Sequence, residues 1–135
     1  MPLYVYGTVI TWANDPGPSG DAKKWTEQYR AIEQQALDWQ DLHGSQPICV
    51  AGDFNQTLHG PTGYGTKAGR KQLLTALKHG GLSCITDVID YNIDHICLSA
   101  EWKPYVSGLY RWQAYTTTGA PVSDHGGFYV ELRLS

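Results

Sequence analysis

Three short strings in this chain carry side chains suited to acid–base or metal chemistry: Gly52-Asp53-Phe54-Asn55, Ile93-Asp94-His95 and Ser123-Asp124-His125-Gly126-Gly127. In the first, Asp53 and Asn55 stand two apart at the exit of the apolar run Ile48 to Ala51. In an extended chain their side chains leave the same side. A carboxylate and an amide at the rim of a packed sheet lie where open α/β sheets place their ligands. An Asx turn that merely closes a strand uses the same residue types. In the second string, Asp94 shares a face with Ile96 and Leu98, and His95 shares the opposite face with Ile93 and Cys97. A carboxylate on an apolar face needs a hydrogen-bonding partner, unless it ends a strand where water still reaches. His95 reads as a core histidine satisfied by backbone groups. In the third string, Asp124 and His125 point opposite ways when extended, so each serves a different partner. Asp124 suits a hard cation. His125 suits a carboxylate such as Asp94, which would fix its tautomer and raise its basicity.

These groups need a rigid frame, and the hydrophobic pattern supplies one. Leu3 to Trp12 is rich in aromatic and β-branched residues and stops at Asn14-Asp15-Pro16-Gly17-Pro18, which predicts a strand and a turn. Between Asp21 and His43, the residues Trp25, Tyr29, Ile32, Ala36 and Trp39 recur at helical spacing, with Ser19 or Asp21 as a cap and Gly44 as the stop. Ile48 to Ala51 is apolar without interruption, as in a strand buried on both faces. Arg70 to His79 predicts a second helix, ended by Gly80-Gly81. Leu82 to Asp87, Ile93 to Ser99 and Val106 to Thr116 read as strands. Phe128, Val130, Leu132 and Leu134 alternate with polar or exposed positions in a half-buried final strand. Helices early and strands late give an α+β or layered α/β pattern in one domain of 135 residues.

Composition narrows the function classes. Hydrophobic content of 41% with 17% charged residues is globular, and a net charge of −3 gives no broad basic face for gripping duplex phosphates. Cys49, Cys84 and Cys97 lie in apolar runs without metal-ligand spacing and read as small core hydrophobes of a reducing compartment. The N-terminus has no signal-peptide pattern and no segment reaches membrane-spanning length, so the expected location is cytoplasmic. The loop from Gly60 to Lys71 is glycine-rich and basic, but its Gly-Thr-Lys order does not match a P-loop. It is expected to place Lys67, Arg70 and Lys71 near the Asp53 rim and at a helix N-terminus, as candidate phosphate contacts or as a solvated charge run.

Taken in order, "GDFN", "IDHICLS" and "SDHGGFYVEL" resemble the C-terminal half of the endonuclease/exonuclease/phosphatase family, which includes deoxyribonucleases, apurinic-site endonucleases, inositol-phosphate phosphatases and sphingomyelinases. The resemblance implies half of a deoxyribonuclease-like four-layer α/β/β/α sandwich: a mixed sheet with two helices on one face, in a single domain over residues 1–135 that lacks the family's N-terminal half. It implies Mg²⁺- or Mn²⁺-assisted hydrolysis of a phosphoester by water, with nucleic acid among the candidate substrates. By the same resemblance Asp53 orients or deprotonates the water, and Asn55 holds a phosphate oxygen or the metal. Asp94 pairs with His125, which stabilises the phosphoryl charge, and Asp124 binds the metal. The family's metal-binding Glu has no counterpart here, so the chain alone is expected to be weak or inactive, or to be a silent binding or assembly module. A sheet face left open by a missing half implies a homodimer or a separate N-terminal partner.

Overall fold

A computed structural model describes residues 2–17, 23–61 and 63–135. The chain runs β1 (Tyr4–Val9), α1 (Thr26–His43), β2 (Ile48–Asp53), α2 (Lys67–His79), β3 (Leu82–Cys84), a 3₁₀ turn (Ile85–Val88), β4 (Asp94–Ser99), a second 3₁₀ turn (Lys103–Tyr105), β5 (Val106–Trp112) and β6 (Gly127–Leu132). A four-stranded mixed sheet has the order β1-β2-β4-β3, and β5 and β6 form a separate antiparallel ribbon. β1 and β2 are parallel, while β4 runs antiparallel to both β2 and β3. This is the α/β class that the sequence implied.

Residue parity decides which face each helix covers. Ile48 and Val50 of β2, Leu82 of β3 and Cys97 of β4 turn to one side, where they pack with Ile32 and Trp39 of α1 and Leu73 and Leu77 of α2. Tyr6 and Thr8 of β1 face the same way, donating hydrogen bonds to Asp38 and Gln35 of α1, each at 2.8 Å. Both helices therefore lie on one face. On the other face Cys49 and Leu98 meet Trp102, with Val106, Val130 and Leu132 of the β5–β6 ribbon packed against them. The ribbon thus covers the centre of a face that sequence reasoning left bare. It stops short of β1, where Val5 and Val9 remain 68% and 69% exposed.

Several boundaries differ from the sequence expectation, each for a local reason. α1 begins at Thr26, because Trp25 takes a left-handed φ of 72°. Its ring meets Tyr64 edge-on at 5.3 Å, and its N–H donates to the Ala13 carbonyl at 2.8 Å. The proposed caps Ser19 and Asp21 lie outside the described residues. α2 begins three residues before Arg70, because the Thr66 hydroxyl accepts the Gly69 N–H at 2.9 Å and caps the helix there. The strand expected over Leu82 to Asp87 ends at Cys84, where the 3₁₀ turn puts Thr86 under β4 to accept the Ile96 N–H at 3.0 Å. β5 ends at Trp112 and not at Thr116. Among the described residues no helix is long and apolar enough to cross a membrane.

Candidate functional site

The register of β2 against β4 sets Asp53 directly opposite Asp94 at the end of the two strands. Two carboxylates facing each other across strands repel, and a positive or donating group between them relieves that repulsion. His125, on the loop before β6, is that group. Its Nδ1 lies 2.6 Å from Asp94 Oδ2 and its Nε2 lies 4.0 Å from Asp53 Oδ2. A carboxylate only accepts, so Nδ1–H donates to Asp94 and Nε2 is presented toward Asp53. The three side chains are 27%, 25% and 35% exposed for Asp94, Asp53 and His125, so the cluster sits at the mouth of the fold and not in its core.

Local bonds hold each member. The Asp53 Oδ1 accepts the Asn55 N–H at 2.8 Å. Asn92 brackets the start of β4, its Oδ1 accepting the Asp94 N–H at 3.0 Å while its amide donates to the Asp94 carbonyl. The Ser123 hydroxyl accepts the His125 N–H at 3.1 Å and turns the loop. Beneath the cluster, His95 is buried, as the sequence implied. Its Nε2 donates to the Gln56 carbonyl at 2.9 Å, its Nδ1 meets the Thr86 hydroxyl at 3.0 Å, and its ring packs on Phe54 at 5.2 Å. It is structural, and it ties β4 to the segment that follows Asp53.

The remaining candidates separate. Asn55 has left the strand with φ 48°, and its amide nitrogen donates to the Ile10 carbonyl at 2.7 Å. Asp124 is 95% exposed, with Oδ1 3.9 Å from His125 Nε2, at the rim of the cluster. Lys67, Arg70, Lys71 and Lys78 line a wide cleft of about 850 Å³ that includes none of the acidic residues. The Arg70 guanidinium is committed to the loop before α2, donating to the carbonyls of Thr57, Gly60 and Pro61 and to the Thr57 hydroxyl. It braces that loop. Proximity in sequence to Asp53 is not proximity in space here.

A residue that sequence reasoning passed over takes the cationic place instead. Arg111 of β5 lines a cleft of about 310 Å³ together with Tyr91, Asp94, Asp124, His125 and Phe128. Its guanidinium lies 5.5 Å from the centre of the Phe128 ring, its cross-strand partner. The signal was an isolated arginine between two aromatic residues, Tyr110 and Trp112.

Electrostatics follow from this geometry. The hydrogen bond to Asp94 raises the His125 pKa above its ordinary 6.5, with partial desolvation opposing and the charges of Asp94, Asp53 and Asp124 adding. The folded state thus favours the protonated ring. The resulting stabilisation is fully present below the unfolded pKa and is lost as pH rises through the folded one, in the window above about 6.5. A titration of the His125 ring followed by NMR is expected to give a midpoint above 6.5, moved downward by Asp94→Asn. A wild-type midpoint at or below 6.5 would refute the pairing.

Asp53, Asp94 and His125 each offer an atom within 4.8 Å of the others, a spacing a cation can bridge. The oxygens of Asp53 and Asp94, with the exposed carboxylate of Asp124 beside them, form a hard donor set that fits Mg²⁺ or Mn²⁺ better than a soft metal. No curated protein matches this chain. The family model described as "Endonuclease/Exonuclease/phosphatase family" matches residues 2–125, a span that includes every residue of the cluster.

Proposed function

The chain belongs to the endonuclease/exonuclease/phosphatase family, and from that premise we propose that it hydrolyses a phosphoester by attack of water, with a divalent cation on the carboxylates of Asp53 and Asp124 beside the Asp94–His125 pair. One observation carries this reading. A histidine oriented by one carboxylate at 2.6 Å has its other nitrogen 4.0 Å from a second carboxylate, and the histidine and the first carboxylate line a cleft with an arginine. Asp53 and Asp124 would hold the cation, which when bound neutralises phosphoryl charge and acidifies water. Asp53 takes the proton of the attacking water. His125, oriented and kept protonated by Asp94, donates from Nε2–H to a phosphoryl oxygen, where charge accumulates as the phosphorus–oxygen bond breaks. Arg111 anchors a neighbouring phosphate or a base face. Lys67 belongs to a separate contact for a longer substrate.

The test is a panel of single-stranded, duplex and abasic DNA, RNA and small phosphoesters, with Mg²⁺ or Mn²⁺ and the purified chain. Metal-dependent turnover, abolished by Asp53→Ala, is the expected result. The metal alone is expected to raise the melting temperature, since a ligand at about a hundredfold its Kd stabilises by about 2.7 kcal/mol. No calorimetric response to either metal would overturn the cation site. A second reading, a module that binds phosphoesters without cleaving them, is favoured by the commitment of the Asn55 amide to Ile10. Metal binding without turnover on any substrate of the panel would select it.

The exposed edge at Val5 and Val9 leads to a further part of the proposal: a second copy packs its sheet there, in a two-fold dimer. β1 is the terminal strand of the sheet, and among the described residues no strand pairs with its outer edge. Light scattering at micromolar concentration is expected to give twice the 15.0 kDa chain mass, and a monodisperse 15.0 kDa species would refute the dimer.

A further inference from the structure

Cys84 and Cys97 take no part in the carboxylate site, yet the sheet sets them face to face. β3 and β4 pair antiparallel with Cys84 directly opposite Cys97. Which kind of pair they form follows from where the backbone of β4 points. The Phe54 N–H donates to the Ile93 carbonyl at 2.8 Å. Carried along the β2–β4 register, this turns the backbone groups of the odd-numbered β4 residues, Cys97 included, toward β2. The even-numbered residues turn theirs toward β3, as Ile96 does when its N–H donates to the Thr86 hydroxyl at 3.0 Å. Cys97 therefore exchanges no backbone hydrogen bond with Cys84. In such a non-hydrogen-bonded pair opposite Cα atoms approach to about 4.5 Å, with their side chains closest. That separation lies within the range, from about 4.4 Å, that admits a disulfide.

The surroundings make the two sulfurs unequal. Cys97 is fully buried, whereas Cys84 is partly open. Cys84 lines a cavity of about 590 Å³ that Lys78, Lys103 and Asp87 also line. Its Sγ has the Thr86 hydroxyl at 3.5 Å and the His95 Nδ1 at 3.6 Å. A hydrogen bond from the Cys97 thiol holds the Cys84 thiol below its ordinary range against the effect of burial, and burial pushes Cys97 the other way. The accessible sulfur is thus the nucleophile and the enclosed one stays a thiol. Cys49 packs on the other face of the sheet with Leu98 and Trp102, while both partners of the pair belong to the helix-side core.

We propose that Cys84 and Cys97 are an oxidation site, at which hydrogen peroxide converts the pair to an intramolecular disulfide. The Cys84 thiolate attacks a peroxide oxygen and the O–O bond breaks, giving a Cys84 sulfenic acid and hydroxide. The Cys97 sulfur then attacks Cys84 Sγ, the S–O bond breaks, and water leaves. Two thiols lose two electrons to one peroxide, and their protons leave in two waters. The bond closes the chain from Cys84 to Cys97, a segment that contains Asn92 and Asp94, and bolts β3 to β4 beside the cluster.

The experiment treats the full chain with a small molar excess of hydrogen peroxide. Free thiols are then counted by maleimide labelling in denaturant, and the linkage is located by peptide mapping without reductant. The expected result is a fall from three labelled thiols to one, Cys49, with a Cys84–Cys97 linked peptide. The melting temperature should rise, and dithiothreitol should reverse both changes. Cys49→Ala should retain the linkage, and Cys84→Ser should keep its remaining thiols through the same treatment. Three surviving thiols, a sulfinic Cys84 beside a free Cys97, or a link through Cys49 or between chains would each overturn the proposal. The wild-type peptide map separates these outcomes even where a variant fails to fold.

Discussion

Replacing His125 by alanine is expected to lower metal-dependent hydrolysis by about 10³-fold, the usual loss when a positioned donor to a developing oxyanion is removed. The ring is 35% exposed and hangs on a loop, so its truncation removes little packing, and the melting temperature should change far less than the rate. The geometry also predicts how the loss divides. His125 acts on charge that forms only as the bond breaks, so kcat and kcat/KM should fall together with KM nearly unchanged. Asp94→Asn keeps the ring but weakens its orientation, so it should lie between wild type and His125→Ala. Asp53 provides a contrasting control. Desolvation, with the nearby Asp94 charge adding, raises the Asp53 pKa above its ordinary 3.8, although the Asn55 N–H and His125 oppose. A raised carboxyl pKa means that the folded state prefers the protonated form, so this group contributes less stability as pH rises through that window. Asp53→Asn should therefore abolish turnover without lowering stability at neutral pH. A His125→Ala rate within about ten-fold of wild type would remove the histidine from the mechanism.

How far the sequence showed this site depends on which residues sat inside regular strands. For Asp94 and His95, alternation along β4 was sufficient: one faces the cluster, the other the core. Parity failed for Asn55, because β2 ends at Asp53 and two residues later the chain is left-handed, with the amide turned back to Ile10. The need of Asp94 for a donor was legible, and so was the suitability of His125. That Asp53 lies directly across from Asp94 was not, since register between strands forty residues apart is set by the whole sheet and by no local signal. The same limit explains the basic residues. Lys67 and Arg70 follow Asp53 closely in sequence, but the Thr66 cap starts α2 early and the loop carbonyls capture the Arg70 guanidinium. Arg111 reaches the cleft only through the pairing of β5 with β6, which brings it over Phe128.

Gly52→Ala is expected to be the most damaging small substitution in the chain, and its cause lies in how closely β1 approaches β2. Gly52 pairs with Thr8 at φ 152°, and a Cβ built there would fall 1.7 Å from the Thr8 carbonyl oxygen. The obstacle is backbone, so no rotamer relieves it, and the φ itself is one that residues with a Cβ rarely adopt. To admit the methyl group, β1 must lift away from β2. That motion breaks the bond from the Ile10 N–H to the Asp53 carbonyl and the one from the Asn55 amide to Ile10, both of which pin the strand that presents Asp53. A loss of about 4 kcal/mol or more follows, a large fraction of the roughly 5–15 kcal/mol of a typical domain. Gly7→Ala is the matched control. It lies on the same pair of strands with nothing within 4 Å of its added Cβ, and should change stability by less than about 1 kcal/mol. Urea unfolding of the two variants separates the outcomes: a Gly52→Ala midpoint equal to that of Gly7→Ala would show that the contact between β1 and β2 is not the constraint that places Asp53.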